Sequence, residues 1–190
     1  MMKILALVVL VLFYGIYFTK LSAQKRRGIR TNQIGSRREK TLHRVEFLMS
    51  AATVLAPAAQ LLAVVFDVGC MPLGVRIAGF VMGMTGDAVF LAAVLCMKDS
   101  WRAGIPENDK TSVVTSGIYA FSRNPAFLGF DLMYIGVFLM YVNWFTGITS
   151  AFAIIMLHLQ ILQEEKYLET VFGNEYTEYK KHVFRYLGRK

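Results

Sequence analysis

The sequence has few cysteines and lacks the glycine-rich motifs that bind nucleotides in many soluble enzymes. Cys70 and Cys96 are its two cysteines, and neither belongs to a CxxC pair or stands near a histidine cluster. The pattern indicates neither a disulfide framework nor a zinc site, so we expect no metal centre. No GxGxxG follows a strand-like segment and no GxxxxGK[ST] occurs, which argues against a Rossmann-type domain and a P-loop.

Charged residues are also scarce for a water-soluble protein. They make up 18% of the 190 residues, whereas hydrophobic residues make up 55%, and the mean hydropathy is +0.45. A soluble globule of this size could not bury so much apolar side chain. The composition therefore predicts a protein whose solvent is the lipid bilayer.

Five apolar stretches could cross a bilayer as helices, which takes about 20 residues each. The first three contain no lysine or arginine except Arg76, and Pro57 should kink the second. The last two are separated by a turn-like segment, 143–147, and should form a helical hairpin. The predicted fold is an all-α integral membrane protein with spans at 4–18, 47–66, 73–97, 125–145 and 148–162.

The positive charge is concentrated in one segment. Residues 20–44 hold nine lysines and arginines against one glutamate, which accounts for the net charge of +8. A short basic loop between two spans is typical of the cytoplasmic side, and no aromatic residues alternate with the charges as nucleic-acid binding would require. We expect this loop to set the topology or attract anionic lipids, with no nucleic-acid partner.

The same charge favours a retained first span over a cleaved signal peptide, because cleavage would carry the basic loop across the membrane. Every long polar segment then lies on the cytoplasmic face. We expect a three-span scaffold in residues 1–97 and a cofactor-binding and catalytic region in residues 98–190. The small size favours the cell membrane of a prokaryote.

Two features of the spans could serve packing or function. Gly79 and Gly83 have the GxxxG spacing that lets helices approach closely, and we favour packing within the bundle over a dimer interface. The oligomeric state stays open. Asp87 and Asp131 are carboxyl groups at membrane depth, which is costly unless they face a partner or water. They belong either to a functional site or to buried hydrogen-bond networks, and the sequence names no partner for them.

The segment before the fourth span carries the chemistry. Asn124 followed by Pro125 predicts a helix start with a side-chain N-cap, and the unpaired N–H groups of such an end attract a carboxylate or phosphate. The predicted hairpin of residues 125–163 returns the chain to the same membrane face. Arg123 should therefore approach the polar side chains at the exit of the hairpin, Gln160, Glu164 and Glu165.

The tail of the chain, residues 164–190, mixes charged with apolar residues at spacings of three and four. That pattern is typical of an amphipathic helix in the membrane interface, and Gly173-Asn174 should break it. We expect this tail to cover the site and shield it from cytoplasmic water.

An ordered set of short motifs between residues 111 and 185 resembles the signature of the isoprenylcysteine carboxyl methyltransferases and their phospholipid-methylating relatives. Each motif alone is weak, but their order and the hairpin-length gap between them are specific. The matching pieces are Gly117-Ile118-Tyr119, Arg123-Asn124-Pro125-Ala126-Phe127-Leu128-Gly129, Glu164-Glu165 and Phe172-Gly173-Asn174-Glu175-Tyr176-Thr177-Glu178-Tyr179.

The resemblance implies a methyltransferase that uses S-adenosylmethionine and acts on a lipidic or prenylated substrate entering from the bilayer. It places Gln160 and Glu164 at the substrate, and we assign the positioning of cofactor and substrate during catalysis to Arg123 and Glu164. It implies a cofactor pocket, roofed by the tail, that is formed by Thr111, Ser112, Val113, Val114, Tyr119, Asn124, Pro125, Ala126, Phe127 and Glu165.

Three residues depart from the family pattern. Asn124 stands at a family histidine, Phe127 at a tyrosine, and Gln160 at an arginine-bearing position that contacts substrate. Because Gln160 supplies no cation for a carboxylate, a phospholipid amine is the alternative acceptor to a prenylcysteine. Two further interpretations are an NADPH-dependent membrane reductase with a similar C-terminal layout and a non-enzymatic scaffold. In the scaffold, Arg123 would be an interfacial cation and Tyr119 an aromatic-belt anchor.

Overall fold

The fold is a bundle of α-helices, seen in a computed structural model that describes residues 1–29, 40–69, 71–101 and 113–189. Within those ranges no β-strand element occurs, and one isolated bridge pairs Val183 with Arg189. Two short 3-10 helices span Lys98–Ser100 and Gly117–Ala120. The α-helices are α1 (Met2–Arg26), α2 (Lys40–Val65), α3 (Leu73–Met97), α4 (Pro125–Met140), α5 (Trp144–Phe172) and α6 (Asn174–His182).

Four of these helices, α1, α2, α3 and α5, are long and apolar enough to cross a membrane. The predicted all-α membrane architecture is therefore confirmed. α4 has 16 residues, which is a rise of about 24 Å, less than the roughly 30 Å of a hydrocarbon core. The hairpin thus pairs one short helix with one long one.

The turn between α4 and α5 comes earlier than predicted. α5 begins at Trp144 and continues to Phe172, so the segment 143–147 is not the turn. The Asn143 side chain explains this start, because it accepts a hydrogen bond of 3.0 Å from the Thr146 N–H and caps α5. The 29 residues of α5 rise about 43 Å, so its last turns extend beyond a hydrocarbon core.

α3 and α4 pack closely through glycines. A Cβ atom at Gly79 would lie 2.5 Å from the Gly136 carbonyl oxygen, and one at Gly136 would lie 2.5 Å from the Gly83 nitrogen. A Cβ at Gly86 would lie 2.7 Å from the Gly129 carbonyl oxygen. Backbones this close leave no room for a larger side chain. The interpretation that Gly79 and Gly83 serve packing within the bundle is confirmed.

α1 packs against this pair through aromatic rings. Phe13 stacks on Phe90 of α3 with ring centroids 4.6 Å apart, and it meets Phe130 of α4 edge-on at 4.7 Å. Where α1 and α3 end, Arg27 forms an ion pair with Asp99 at 2.8 Å. We call this end of the bundle, which carries the basic segment, the basic end.

The basic segment, predicted as a loop over residues 20–44, is helical at both of its margins. α1 continues to Arg26 and α2 begins at Lys40, whereas residues 30–39 lie outside the described residues. Hydropathy marks where the hydrocarbon ends, but lysine and arginine are good helix formers and let a helix continue past that point. The predicted loop is therefore too long.

Candidate functional site

The 3-10 helix before α4 carries Tyr119 to the end of α3. Gly117 opens this helix with a φ of +63°, a conformation that favours glycine, and a Cβ there would lie 2.6 Å from the Cys96 Sγ. Only 6% of Tyr119 is exposed. Burial raises the pKa of its phenol, and the neighbouring Tyr179, Cys96 and Glu164 raise it further. Tyr119 is therefore protonated at neutral pH.

A buried carboxylate, Glu165, joins the segments that meet at the basic end. Its Oε1 accepts hydrogen bonds from the Arg123 Nη2 at 2.8 Å and the Asn124 Nδ2 at 3.0 Å, and its Oε2 accepts one from the Arg185 Nη2 at 2.9 Å. The Glu165 and Arg123 side chains are 4% and 6% exposed. Loss of either partner would leave an uncompensated buried charge. We call these four residues the Glu165 clamp.

The last residues of the chain fold back onto the segment before α4. The Arg123 N–H donates to the Phe184 carbonyl at 3.1 Å, and the Gly188 N–H donates to the Phe121 carbonyl at 2.7 Å. We call residues 183–189 the C-terminal strap. Because these bonds come from the backbone, the path of the strap does not depend on side chains alone.

The predicted amphipathic tail is built from two helices. Residues 164–172 continue α5 without interruption, which corrects the prediction of a separate tail starting at 164. The predicted break is confirmed at Gly173, which has a φ of +52° and precedes α6. The Tyr179 hydroxyl of α6 donates to the Tyr119 carbonyl at 2.6 Å, which places α6 against the 3-10 helix.

Asn124 occupies the predicted helix start but does not form the predicted cap. It precedes Pro125, the first residue of α4, and its side chain makes no capping hydrogen bond. Its Nδ2 instead donates to Glu165 and, at 3.3 Å, to the Arg185 carbonyl. A hydrogen bond to a carboxylate is stronger than one between neutral groups, and it orients the amide.

Tyr119, Gln160 and Glu164 form a second group beside the clamp. Gln160 is fully buried, and its Nε2 donates to the Glu164 Oε1 at 3.0 Å, one turn along α5. The Gln160 Oε1 is buried and has no hydrogen-bond partner among the described residues. Successive helix residues point about 100° apart, so Glu164 faces Gln160 while Glu165 faces Arg123. The predicted approach of Arg123 to the glutamate pair is therefore made at Glu165.

The remaining predicted cofactor residues lie just before α4 and in its first turn. Ala126 and Phe127 pack against the hydrophobic core, whereas Thr111 and Ser112 lie outside the described residues. Three further predicted cofactor residues are half-buried or buried, namely Val113, Val114 and Pro125.

No group of three or more histidine, cysteine, aspartate or glutamate side chains in the described ranges is placed to hold a metal ion.

Arg185 is a site residue that the sequence did not predict. The tail is rich in lysine and arginine, so one more cation carries no distinguishing signal. Its contact depends on the strap folding back onto Glu165, 20 residues earlier. Hydrogen bonding to Glu165 raises the pKa of Arg185, so the guanidinium stays charged at any physiological pH.

Fold and site define a helical membrane protein in which a buried carboxylate clamp and a C-terminal strap close one end of a helical hairpin. The family model for phospholipid methyltransferases matches residues 76–175, more than half of the chain. The chain therefore belongs to this family. The matched region runs from the start of α3 into α6 and contains Arg123, Gln160, Glu164 and Glu165.

Curated relatives carry a narrower name, protein-S-isoprenylcysteine O-methyltransferase. The human protein is 31% identical over 111 residues, which cover 56% of this chain and 39% of the relative. The Schizosaccharomyces pombe protein is 34% identical over 74 residues, covering 37% and 30%. Form B from Arabidopsis thaliana is 29% identical over 110 residues, covering 55% of each chain. The chain thus spans about half or less of the length of these relatives.

Proposed function

We propose that this chain is an integral membrane methyltransferase that uses S-adenosylmethionine and methylates the carboxylate of a prenylated cysteine or a similar lipidic substrate. The observation that carries the proposal is that Gln160 bonds Glu164 beside the Arg123–Glu165 ion pair, with Tyr119 close enough for Glu164 to raise the pKa of its phenol, all within the family match. The names of the relatives support the choice of acceptor, because each is named for O-methylation of isoprenylcysteine.

The side chains of the site suit a cationic methyl donor. The Gln160 Oε1 is a buried acceptor without a partner in the described part of the chain, and Glu164 supplies a carboxylate beside it. Acceptors and negative charge complement the amino group, the hydroxyls and the sulfonium of S-adenosylmethionine. Tyr119, Val113-Val114 and the first turn of α4 would complete the pocket. Bound there, the cofactor supplies a methyl group on a sulfonium centre.

A carboxylate acceptor requires little acid–base chemistry from the chain. With a pKa near 4 it is already deprotonated at neutral pH, so no general base is needed. The protein has to align the reacting groups and exclude water from them. In this proposal α6 and the strap exclude water by covering the site. Arg123 holds other parts of the site in place. Its Nη1 donates to the Val183 carbonyl of the strap at 2.6 Å, and its other nitrogens bind Glu165. We therefore assign ligand contact to Glu164 and positioning to Arg123.

A phospholipid amine is a second candidate acceptor, and the chemistry of Gln160 favours it. This residue is neutral and fully buried, where a substrate carboxylate would need a cation or several N–H donors. Its unpartnered Oε1 could instead accept a hydrogen bond from an amine headgroup. An amine must lose a proton before it takes a methyl group, so this acceptor predicts turnover that rises with pH. A carboxylate acceptor predicts a flat response near neutral pH.

A transfer assay with two acceptors tests the proposal. The full chain in lipid nanodiscs receives tritiated S-adenosylmethionine with either N-acetyl-farnesylcysteine or phosphatidylethanolamine. We expect labelled ester from the first, and a loss of about 100-fold or more in Glu164→Ala because a ligand contact is removed. Glu175→Ala, an exposed glutamate on α6, is the matched control and should keep wild-type turnover.

The other outcomes distinguish the remaining interpretations. Label in phosphatidylethanolamine alone would select the second candidate. No label, together with NADPH binding and no binding of S-adenosylhomocysteine, would overturn the proposal in favour of a reductase. No binding of either cofactor would favour a scaffold without enzymatic activity.

We also propose that the site faces the cytoplasm. The support is that the basic end holds both the clamp and the described part of the basic segment, including Lys25. Lys25→Cys and Trp144→Cys, each in a background of Cys70→Ser and Cys96→Ser, test the orientation with a membrane-impermeant maleimide. Trp144→Cys, at the opposite end and 89% exposed, should react in intact cells and Lys25→Cys only after lysis. The reverse pattern would overturn the placement.

A further inference from the structure

A second polar layer lies about two helical turns deeper in the bundle than the Glu165 clamp. Asp131 of α4 lies seven residues after Asn124, which directly precedes the helix, and His158 precedes Glu165 by seven residues on α5. Seven residues make nearly two full turns, about 10 Å, so the members of each pair share a helix face. The faces that meet the strap at the clamp therefore also carry Asp131 and His158.

Tyr186 of the strap reaches this deeper layer. Its hydroxyl and the His158 Nδ1 share a hydrogen bond of 2.7 Å, and the two rings are nearly parallel, with an interplanar angle of 14° and centroids 5.9 Å apart. Burial raises the pKa of Tyr186, and Asp131 raises it further, whereas Arg185 lowers it. The phenol is therefore protonated at neutral pH, with Asp131 near enough to act on it.

The layer joins two helices that pack more closely against other helices than against each other. α4 packs mainly against α3, and α5 packs mainly against α2, whereas α4 and α5 contact each other much less. Tyr186 is hydrogen-bonded to His158 of α5 and lies close enough to Asp131 of α4 for that carboxyl group to raise the pKa of its phenol. Tyr186 therefore interacts with both helices of the hairpin.

We propose that Tyr186 is a positioning residue for methyl transfer, because its hydrogen bond to His158 holds the strap closed over the donor pocket. This inference rests on the proposed function and adds a residue outside the family match, which ends at residue 175. The Glu165 clamp holds the strap through charged groups, and Tyr186 holds it through a hydrogen bond to His158 deeper in the bundle. Loosening this bond weakens donor binding without removing a group that touches the ligands.

Tyr186→Phe is the variant that isolates the hydroxyl, because it keeps the ring and its stacking. In the full chain in nanodiscs, we expect S-adenosylhomocysteine to bind roughly three- to tenfold more weakly by calorimetry, the worth of one hydrogen bond. The KM for the donor should rise by the same factor, with kcat changed by less than about twofold. His158→Phe should behave alike, and the double variant should be no worse than either single one, because all three remove the same bond.

Backbone hydrogen exchange gives a readout that is independent of activity. The Phe184 N–H donates to the Gly188 carbonyl at 2.9 Å, and the Gly188 N–H donates to Phe121. Both amides should exchange roughly three- to tenfold faster in Tyr186→Phe, with α3 and α4 unchanged. His158→Gln retains a side chain that can donate to or accept from the hydroxyl and should keep part of the protection that His158→Phe loses.

His182→Phe is the matched control, because this histidine is exposed on α6 and its Nδ1 bonds the Glu178 backbone carbonyl at 2.8 Å. It should bind S-adenosylhomocysteine as the wild type does. If the wild type binds this ligand and Tyr186→Phe binds it equally well with unchanged strap exchange, the inference is overturned while the proposed function stands. If the wild type itself does not bind, the proposed function fails and the positioning role fails with it.

Discussion

The two ends of the α4–α5 hairpin are held together in different ways. At the turn end, three residues connect the helices and the bonds are local: Asn143 caps α5, and the Thr146 Oγ1 donates to the Tyr141 carbonyl at 3.1 Å. At the basic end, Glu165 meets Arg123 across 42 residues of chain, and Arg185 joins from the C-terminus. The turn is thus closed by bonds between sequence neighbours, with weaker contacts from the segment before α3, whereas the site is assembled by buried charges from distant segments.

Contacts to α3 and its preceding loop also support the turn end. The Arg76 guanidinium lies 4.7 Å from the centroid of the Tyr141 ring and 3.7 Å from the Asp67 carboxylate. The Asn143 Nδ2 donates to the Val68 carbonyl at 3.3 Å. These contacts are several and individually weak, so we expect substitutions there to cause smaller losses than substitutions in the clamp.

The largest effect should come from breaking the basic end with Glu165→Ala. Two guanidinium groups would lose their buried carboxylate, so we expect the free energy of unfolding to fall by about 3–5 kcal/mol. The strap should open and binding of S-adenosylhomocysteine should be lost. Denaturant unfolding in mixed micelles measures the first effect and hydrogen exchange of residues 183–189 the second. An unchanged unfolding midpoint would contradict the clamp.

Breaking the turn end with Gly69→Ala should cause a smaller loss and leave the site intact. Gly69 has a φ of +131°, and a Cβ there would lie 2.8 Å from the Val142 carbonyl oxygen. We expect about 1–3 kcal/mol of destabilisation from strain and overpacking, with unchanged donor affinity. Gly74→Ala, where a Cβ would meet nothing within 4 Å, is the control. A loss of donor affinity in Gly69→Ala would show that the two ends are not independent.

Removing the cap with Asn143→Ala should cost about 1 kcal/mol of unfolding free energy, because the Thr146 N–H loses its acceptor. Asn143→Asp keeps a cap oxygen but loses the Nδ2 donor to the Val68 and Tyr141 carbonyls, so it should recover only part of this stability. Thermal unfolding of the three proteins at one protein concentration measures the difference. Equal stability of Asn143→Ala and the wild type would mean that the cap contributes nothing to the turn.

The smallest effect should come from Glu178→Gln, the exposed counterpart of Glu165. Glu178 pairs with Lys181 at 2.7 Å, and this pairing lowers its pKa. Any stability from the pair is therefore present above the ordinary pKa of about 4.3 and is lost as pH falls through the lowered value. Because water screens the pair, the pH–stability curves of variant and wild type should coincide above about pH 5. A separation at pH 7 would contradict the screening.

Hydropathy predicted most of the helices because transfer of an apolar stretch into lipid is a local property of the chain. The third span has the predicted ends, 73–97. The turn before α5 was misplaced because Asn143 fits either a turn or a helix cap, and only its bond to Thr146 shows which it forms. The division at residue 97 into scaffold and catalytic region stays a prediction.

The sequence predicted which residues would lie near one another in the candidate site, but not which of them would be hydrogen-bonded. The predicted hairpin indicated that Arg123 would approach the glutamate pair. Adjacent helix residues point in different directions, so the rotation of α5 decides that Glu165 is the partner. Asp87 is a similar case. It is 4% exposed and neither carboxylate oxygen has a hydrogen-bond partner among the described residues, so the predicted hydrogen-bond network around it is not seen there.

By itself, the sequence determined that the protein is helical, lies in a membrane and carries the ordered motifs of its family. Hydropathy and short motifs are properties of consecutive residues, so they do not depend on how the chain packs. Only the tertiary structure decided which charges meet. Arg185 and Tyr186 reach α5 through the path of the strap, and their partners Glu165 and His158 lie 20 and 28 residues earlier. Such contacts depend on how separate segments pack together, and no local pattern of residues encodes that packing.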